Sequence, residues 1–436
     1  MDRINKLSCI IVVFLLPLFV AAQEEEPLRK IAVNTRYQKE IKDLAEQPVI
    51  RSAFQTIVDL EPQTIKDLIM LTQIPSPPFK EKLRAEKFRQ MLQAIGVDSI
   101  WTDAAGNVIA LRRGTSRKKT VVIEGHLDTV FPEGTDVTVK QKGDTLFAPG
   151  IGDDTRGLNV LLTLLKAINT AKIKTDADVL FIGTTGEEGL GDLRGVKQLF
   201  NSGIKIDTYI SIDGGPISTI TYGAVGSRRY RVTYKGPGGH SYGAFGLVNP
   251  HNASARAIHY FIKDADAFTK TGVKTTYNIG VMGGGTSVNA IPAESWMEVD
   301  MRSENAGRLN TLDKLLKQAV QKGLQEENAM KRQGPNLTVE MKMVGDRPSG
   351  VQDTALPLIN RAAAASRYLN AGAGLSINST NSNIPISKNI PAITIGRGGK
   401  TAGAHSLNEW YLNDKGYLGI QYALLVLVSE AGLANK

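Results

Sequence analysis

Residues 177–191 read ADVLFIGTTGEEGLG. The run from Val179 to Gly183 is apolar enough to form a buried strand. Just beyond it stand two adjacent glutamates, Glu187 and Glu188, held between Gly186 and Gly189. A solvated turn would satisfy that pattern. So would the carboxyl edge of an open α/β sheet, where ligands bind just beyond the strand ends. The runs on either side of this stretch distinguish the two.

Upstream, GNVIALRRG (106–114) and KTVVIEGHLDTV (119–130) read as strands. The segment between KTVVIEGHLDTV and ADVLFIG, DDTRGLNVLLTLLKAINTA (153–171), is an apolar helix opened by acids, as suits a helix N-terminus. Downstream, DTYISIDGG (207–215) and AITIG (392–396) are short and apolar. Strands alternating with helices imply a parallel sheet covered by helices. From about residue 222 the period changes. RRYRVTYKG alternates like a one-sided antiparallel strand, and the order strand, helix, strand, strand, helix, strand then runs to LTVEMKMVG (337–345). After residue 348 the α/β pattern returns. We therefore expect a helical lead-in over 23–60, an α/β domain over 61–221 and 348–436, and a ferredoxin-like α+β insert over 222–347.

A chain of 436 residues exceeds one ordinary core. The first 22 residues have the polar start, apolar run and small residues of a secretory signal peptide, so a secreted or periplasmic protein without stable membrane insertion is expected. The single cysteine, Cys9, lies inside that run. The remaining chain can have neither disulfides nor thiolate metal ligands. The net charge of +9 is scattered. Its one cluster, RRGTSRKK (112–119), reads as a solvated hairpin turn between strands, and no nucleic-acid partner is expected.

Five loops after strands or strand-like runs each offer a histidine or carboxylate: HLD with His126 and Asp128, GDD with Asp153 and Asp154, GEEG, IDGG with Asp213, and AHS with His405. Each alone has a bland reading. His-x-Asp suits a hydrogen-bonded turn, and Asp before a helix is most often a cap. Together their ligand types suit a two-metal site, in which two ions would polarise a carbonyl and acidify a water. Such a site needs one glutamate as ligand and another left free as general base. Adjacent residues on a glycine-bounded turn can face different ways, so Glu187 and Glu188 can fill both roles.

The ordered set HLD, GDD, GEEG, IDGG, GGHS, NAIP and AHS resembles the zinc-dependent family of aminoacylase, carboxypeptidase G and peptidase T (clan MH), with peptidase T-like members nearest in pattern. The resemblance covers nearly all of residues 60–436. It implies a phosphorylase/hydrolase-like zinc-peptidase domain with a mixed central sheet, interrupted by a lid. It implies two zinc ions, replaceable by cobalt or manganese, on His126, Asp153, Glu188, Asp213 and His405, with Asp153 bridging. Glu187 becomes the base and Asp128 orients His126. In the insert, His240 resembles a lid histidine that reaches the neighbouring subunit's site and stabilises the oxyanion. Asn289 and Arg302 resemble substrate-holding residues, although a surface ion pair would equally explain Arg302. The implied activity is hydrolysis of short peptides by an aminopeptidase, di- or tripeptidase or carboxypeptidase, or deacylation of N-acyl amino acids, in a homodimer joined through the lid. A cis peptide after the bridging aspartate is a family feature.

Two departures stand out: Thr155–Arg156 where relatives often carry Lys and a small residue, and Asn381 where many carry Asp. Two rival readings compete with the metal site. GHSYG (239–243) is formally a nucleophile elbow, with Ser241, Asp353 and His405 in the right order for a serine hydrolase, but its preceding strand is amphipathic. A non-catalytic binding relative is the other. GRGGKT (396–401) fails as a phosphate loop because Thr394 stands where the first glycine is required.

Overall fold

Strands too continuously apolar to face water on either side must be covered twice, and they are. The computed structural model describes residues 28–434; the expected signal peptide, residues 1–22, lies outside them. Four neighbouring strands, Ala392–Gly396, Thr208–Gly214, Thr120–His126 and Asp178–Thr184, run parallel at the middle of a ten-stranded sheet. Antiparallel pairs flank them, Val108–Arg112 and Ser99–Thr102 on one side and Thr219–Ala224 on the other. The sheet is mixed. Because the middle strands are parallel, Gly396, Gly214, His126 and Thr184 end on one edge, which is where the site forms.

Alternate residues face opposite layers. Val121, Ile123, Val179, Phe181, Ile210 and Ile212 pack under the helices Arg156–Thr170 and Tyr417–Ala431. Val122, Leu180, Ile182 and Tyr209 pack under Arg194–Asn201 and Asn383–Ser387. The lead-in is not a separate element. Tyr37, Ile41, Ile50 and Ile57 of the helices Thr35–Ala45 and Pro48–Asp59 belong to the main core. Arg29–Lys30 adds an edge strand against Gly374–Asn378. The polar face of these helices hid their buried stripe. The basic run 112–119 is a turn, but not a hairpin: both strands it joins pair with Asp178–Thr184 between them.

The insert is a four-stranded antiparallel sheet whose chain order is strand, helix, strand, strand, helix, strand. Its strands lie in the order Thr275–Gly284, Glu294–Ser303, Gly226–Lys235, Thr338–Arg347, and the helices Pro250–Thr269 and Ala306–Ala329 cover its apolar face. This is the ferredoxin-like arrangement. The chain enters it at Ala224–Gly226 rather than at 222, because Thr219–Ala224 is a buried strand of the main sheet. It leaves at Arg347–Gly350, and Gly350 pairs back on Ala224, so the two crossings lie side by side at the junction of the two domains. Among the described residues no helix is long and apolar enough to cross a membrane.

Candidate metal centre

His126 closes its strand and is buried. Its Nδ1 lies 2.9 Å from the backbone carbonyl of Asp128 and 3.8 Å from that residue's carboxylate. So Asp128 meets His126 through its main chain. Its carboxylate instead accepts the amides of Glu187 at 3.0 Å and Glu188 at 2.8 Å. Those bonds fix the turn that carries both glutamates. The turn bends through Gly186 and Gly189, at φ 67° and 51°, a region that favours glycine.

The two aspartates of GDD divide their labour. Asp154 is fully buried; its carboxylate accepts the amides of Gly157 at 3.2 Å and of His126 at 3.0 Å. It is the cap, while Asp153 turns into the site, and the peptide bond between them is cis. Glu409, four residues after His405, accepts the amides of Gly150, Gly152 and Asp153 at 2.6, 2.8 and 2.8 Å. It holds the loop that presents Asp153. Glu409→Ala would orphan these amides, and we expect a loss of about 3 kcal/mol in urea unfolding. Glu409→Gln keeps an acceptor and should lose about 1 kcal/mol.

Three overlapping groups offer ligand atoms within 4.8 Å of one another: His126, Asp153 and Asp213; Asp153, Glu188 and His405; and His126, Glu187 and Glu188. Asp153 is shared by the first two. Its Oδ1 lies 3.2 Å from His126 Nε2, and its Oδ2 lies 3.2 Å from His405 Nε2. His405 also lies 3.0 Å from Glu188. It sits at φ 64°, a costly conformation for a residue with a side chain and one that clusters at functional sites. The Asp153 and Glu188 carboxylates hold His405 up to about 10. Burial works against charge on His126, yet Asp153 and Asp213 keep it well above the usual imidazole range. Two histidines set among these carboxylates form a donor cluster whose negative charge divalent cations can balance. Imidazole and carboxylate donors without thiolate fit zinc, and also cobalt or manganese.

Glu187 lies within reach of His126 and Glu188 but differs from the other acids in its partner. One arm of the buried Arg347 guanidinium lies 3.1 Å from its Oε1, and the other donates to its main-chain carbonyl. Burial pushes the Glu187 carboxyl up to about 8, with Arg347 pulling against it. The pair of glutamates therefore separates: Glu188 faces His405 and Glu187 faces Arg347. A second buried arginine, Arg397, lies 2.9 Å from Asp154 and 3.4 Å from Asp153, just beyond the strand Ala392–Gly396. It belongs to the GRGGKT stretch, whose glycines form the visible pattern while its arginine reaches the site.

Asn381 settles into the layer beneath the site. Its amide donates to Glu124 Oε2 at 3.2 Å and to Thr184 Oγ1 at 2.9 Å. Glu124 and Asn381 are both buried. An aspartate at 381 would set two carboxylates against each other, so the departure from the family pattern fits its neighbour. Asn381→Asp should cost about 3 kcal/mol at neutral pH, the scale of an uncompensated buried charge. The new carboxyl's pKa would be raised on folding, so the loss should shrink as pH falls and both states bind the proton. Unfolding at pH 7 and pH 5 tests this. At the other departure, Thr155 bonds the Gly150 carbonyl at 2.6 Å and Arg156 bonds Asn159 at 2.7 Å and the Gly416 carbonyl at 2.9 Å. Both residues are buried and brace the helix.

The residues singled out in the insert have other partners. His240 and Asn289 share an exposed two-stranded ribbon, with His240 paired to Ala290 and Asn289 accepting the Ser241 amide at 2.9 Å. His240 Nδ1 accepts the amides of its own turn, from Tyr242 and Gly243. Arg302 pairs with Asp300 at 2.7 Å, the ion-pair reading. The serine triad is not assembled. Ser241 lies on the ribbon, Asp353 accepts the Ala355 amide, and His405 Nε2 faces Glu188 and Asp153.

Residues 122–428 match the family model described as Peptidase family M20/M25/M40. Carboxypeptidase G2 of Pseudomonas sp. is 24% identical over 339 residues, spanning 74% of this chain and 77% of that one. A tripeptidase from Staphylococcus aureus aligns with a TM-score of 0.68 at 22% identity, over 85% of this chain and 99% of that chain. A Bacillus subtilis protein described as a dinuclear metal-binding peptidase of the M20 family aligns with a TM-score of 0.60 at 17% identity, over 85% of this chain and 99% of its own. These structural likenesses establish a common fold.

Proposed function

The chain belongs to Peptidase family M20/M25/M40, and we propose that it hydrolyses the amide bonds of short peptides at a two-zinc centre. One observation carries this reading. Asp153 belongs to two ligand groups at once, while the adjacent Glu187 is tied to an arginine. In this reading His126, Asp153 and Asp213 hold one ion, Asp153, Glu188 and His405 hold the other, and cobalt or manganese can substitute. Bound there, the ions supply a polarised carbonyl and an acidified water.

The chain's own groups do the rest. Glu187 takes the proton from the attacking water at a carboxylate oxygen and delivers it to the departing amine. Asp128 keeps the turn in place through the two amides it accepts. In this reading His240 would serve a neighbouring copy in a lid-mediated homodimer, which its exposure on the ribbon supports, with Asn289 beside it and Arg302 further along the lid as groups for the substrate. The N-terminal segment supports a secreted or periplasmic site of action.

The relatives named carboxypeptidase G2 and tripeptidase support the peptide reading. Deacylation of N-acyl amino acids is the second reading, since it cleaves the same bond at the same centre. A panel of dipeptides, tripeptides with free amino termini and N-acyl amino acids separates them. Release of amino acids from unblocked peptides is expected; turnover of N-acyl amino acids alone would favour the deacylase.

A further inference from the structure

Arg347 is the last residue of the strand by which the chain leaves the lid, in register with Ser227 on the strand by which it enters. Although it belongs to the lid, its guanidinium is buried against the catalytic domain, with the side chain 5% exposed. It grips a single residue twice. Nη1 lies 3.1 Å from Glu187 Oε1, and Nη2 donates to the Glu187 carbonyl. Nη1 also donates to Ser379 Oγ at 3.1 Å. A rigid fork that spans a side-chain oxygen and the main chain of the same residue fixes that side chain's rotation as well as its position. Nη1 and Nη2 are both engaged in this grip, Nε is buried without a hydrogen-bond partner, and the whole side chain is screened from solvent.

The surroundings tie this grip to the junction of the two domains. Asp346, the preceding residue, donates its amide to Asp192 at 2.9 Å and accepts from Lys197 at 2.9 Å. Arg229, two residues after Ser227, donates to the Gly189 carbonyl at 2.7 Å. The turn that carries both glutamates is thus held from the two crossing strands by Arg347 and Arg229.

We propose that Arg347 is a positioning residue, which holds Glu187 in its working orientation from the strand that joins the lid to the catalytic domain. This rests on the reading of Glu187 as the general base. It goes beyond that reading by making the placement of the base depend on the strand that joins the two domains. Arg347 acts through Glu187 and touches no reacting atom.

The test is steady-state kinetics on the metal-loaded enzyme, with metal content measured on the same samples. Four forms are compared with wild type: Arg347→Met, Arg347→Lys, Glu187→Gln and Glu187→Gln/Arg347→Met. Arg347→Met should lower kcat by about 100-fold, the scale of a misplaced catalytic group, with KM within about threefold and both metals retained. Arg347→Lys keeps the charge but not the fork and should recover about tenfold of the loss. The double variant should be no slower than Glu187→Gln, because residues acting as one unit are not additive. A kcat for Arg347→Met within about threefold of wild type would overturn the proposal. So would a loss confined to KM, a loss that follows departing metal, or a double variant slowed by the full product of the single effects. Activity retained in Glu187→Gln is a different failure: it removes the base itself, whatever Arg347 does.

Discussion

Glu187→Gln is expected to lower kcat by about 1,000-fold, within the range that a positioned base contributes, while the protein keeps its two metals. The amide preserves the shape of the side chain and an oxygen for the Arg347 bond at 3.1 Å, but it cannot take a proton. The metal result matters as much as the rate. Glu187 also lies within reach of His126 and Glu188 as a candidate ligand. If Glu187→Gln loses one equivalent of metal, Glu187 is a ligand and the base must be sought elsewhere. If it keeps both metals and turns over at the wild-type rate, no proton passes through residue 187.

Asp153→Asn should be the most damaging ligand substitution. Asp153 alone belongs to both the His126–Asp213 group and the Glu188–His405 group, with one oxygen 3.2 Å from each histidine. Removing its charge weakens both positions at once. Metal content should fall below one ion per chain and kcat/KM by about 1,000-fold or more, the several kcal/mol that metal stabilisation of the transition state supplies. His405→Ala and Asp213→Ala each touch one group and should leave close to one ion. A variant of Asp153 that still binds two ions would show that it does not bridge. Equal losses in all three variants would show that the two positions are not separable.

The strand-end loops were legible because their signals are local. An apolar run ending in HLD, GEEG or IDGG marks the carboxyl edge of a parallel sheet, and those strands do end side by side. The insert was legible because its period and element order change together. Contacts between distant segments were not. Arg347 meets Glu187 across 160 positions, and Arg397 meets Asp154 across 243. Neither arginine carries a local pattern that separates it from a surface residue. Glu409 lies inside GAHSLNEW, but its role depends on a loop more than 250 positions earlier. The burial of the lead-in was hidden because its first helix is polar on average and apolar on one stripe. Asp128 lies beside His126 in the chain, but the partners of its carboxylate lie in the GEEG turn, which only the parallel pairing of Thr120–His126 with Asp178–Thr184 brings near.

The most direct test of the two-metal hydrolase is a metal titration of the full-length protein after chelation. Hydrolysis of an unblocked tripeptide is monitored as zinc is returned. We predict no activity in chelator, recovery that saturates at two equivalents per chain, and no effect of Ser241→Ala. Full activity in chelator, abolished by Ser241→Ala, would contradict the account.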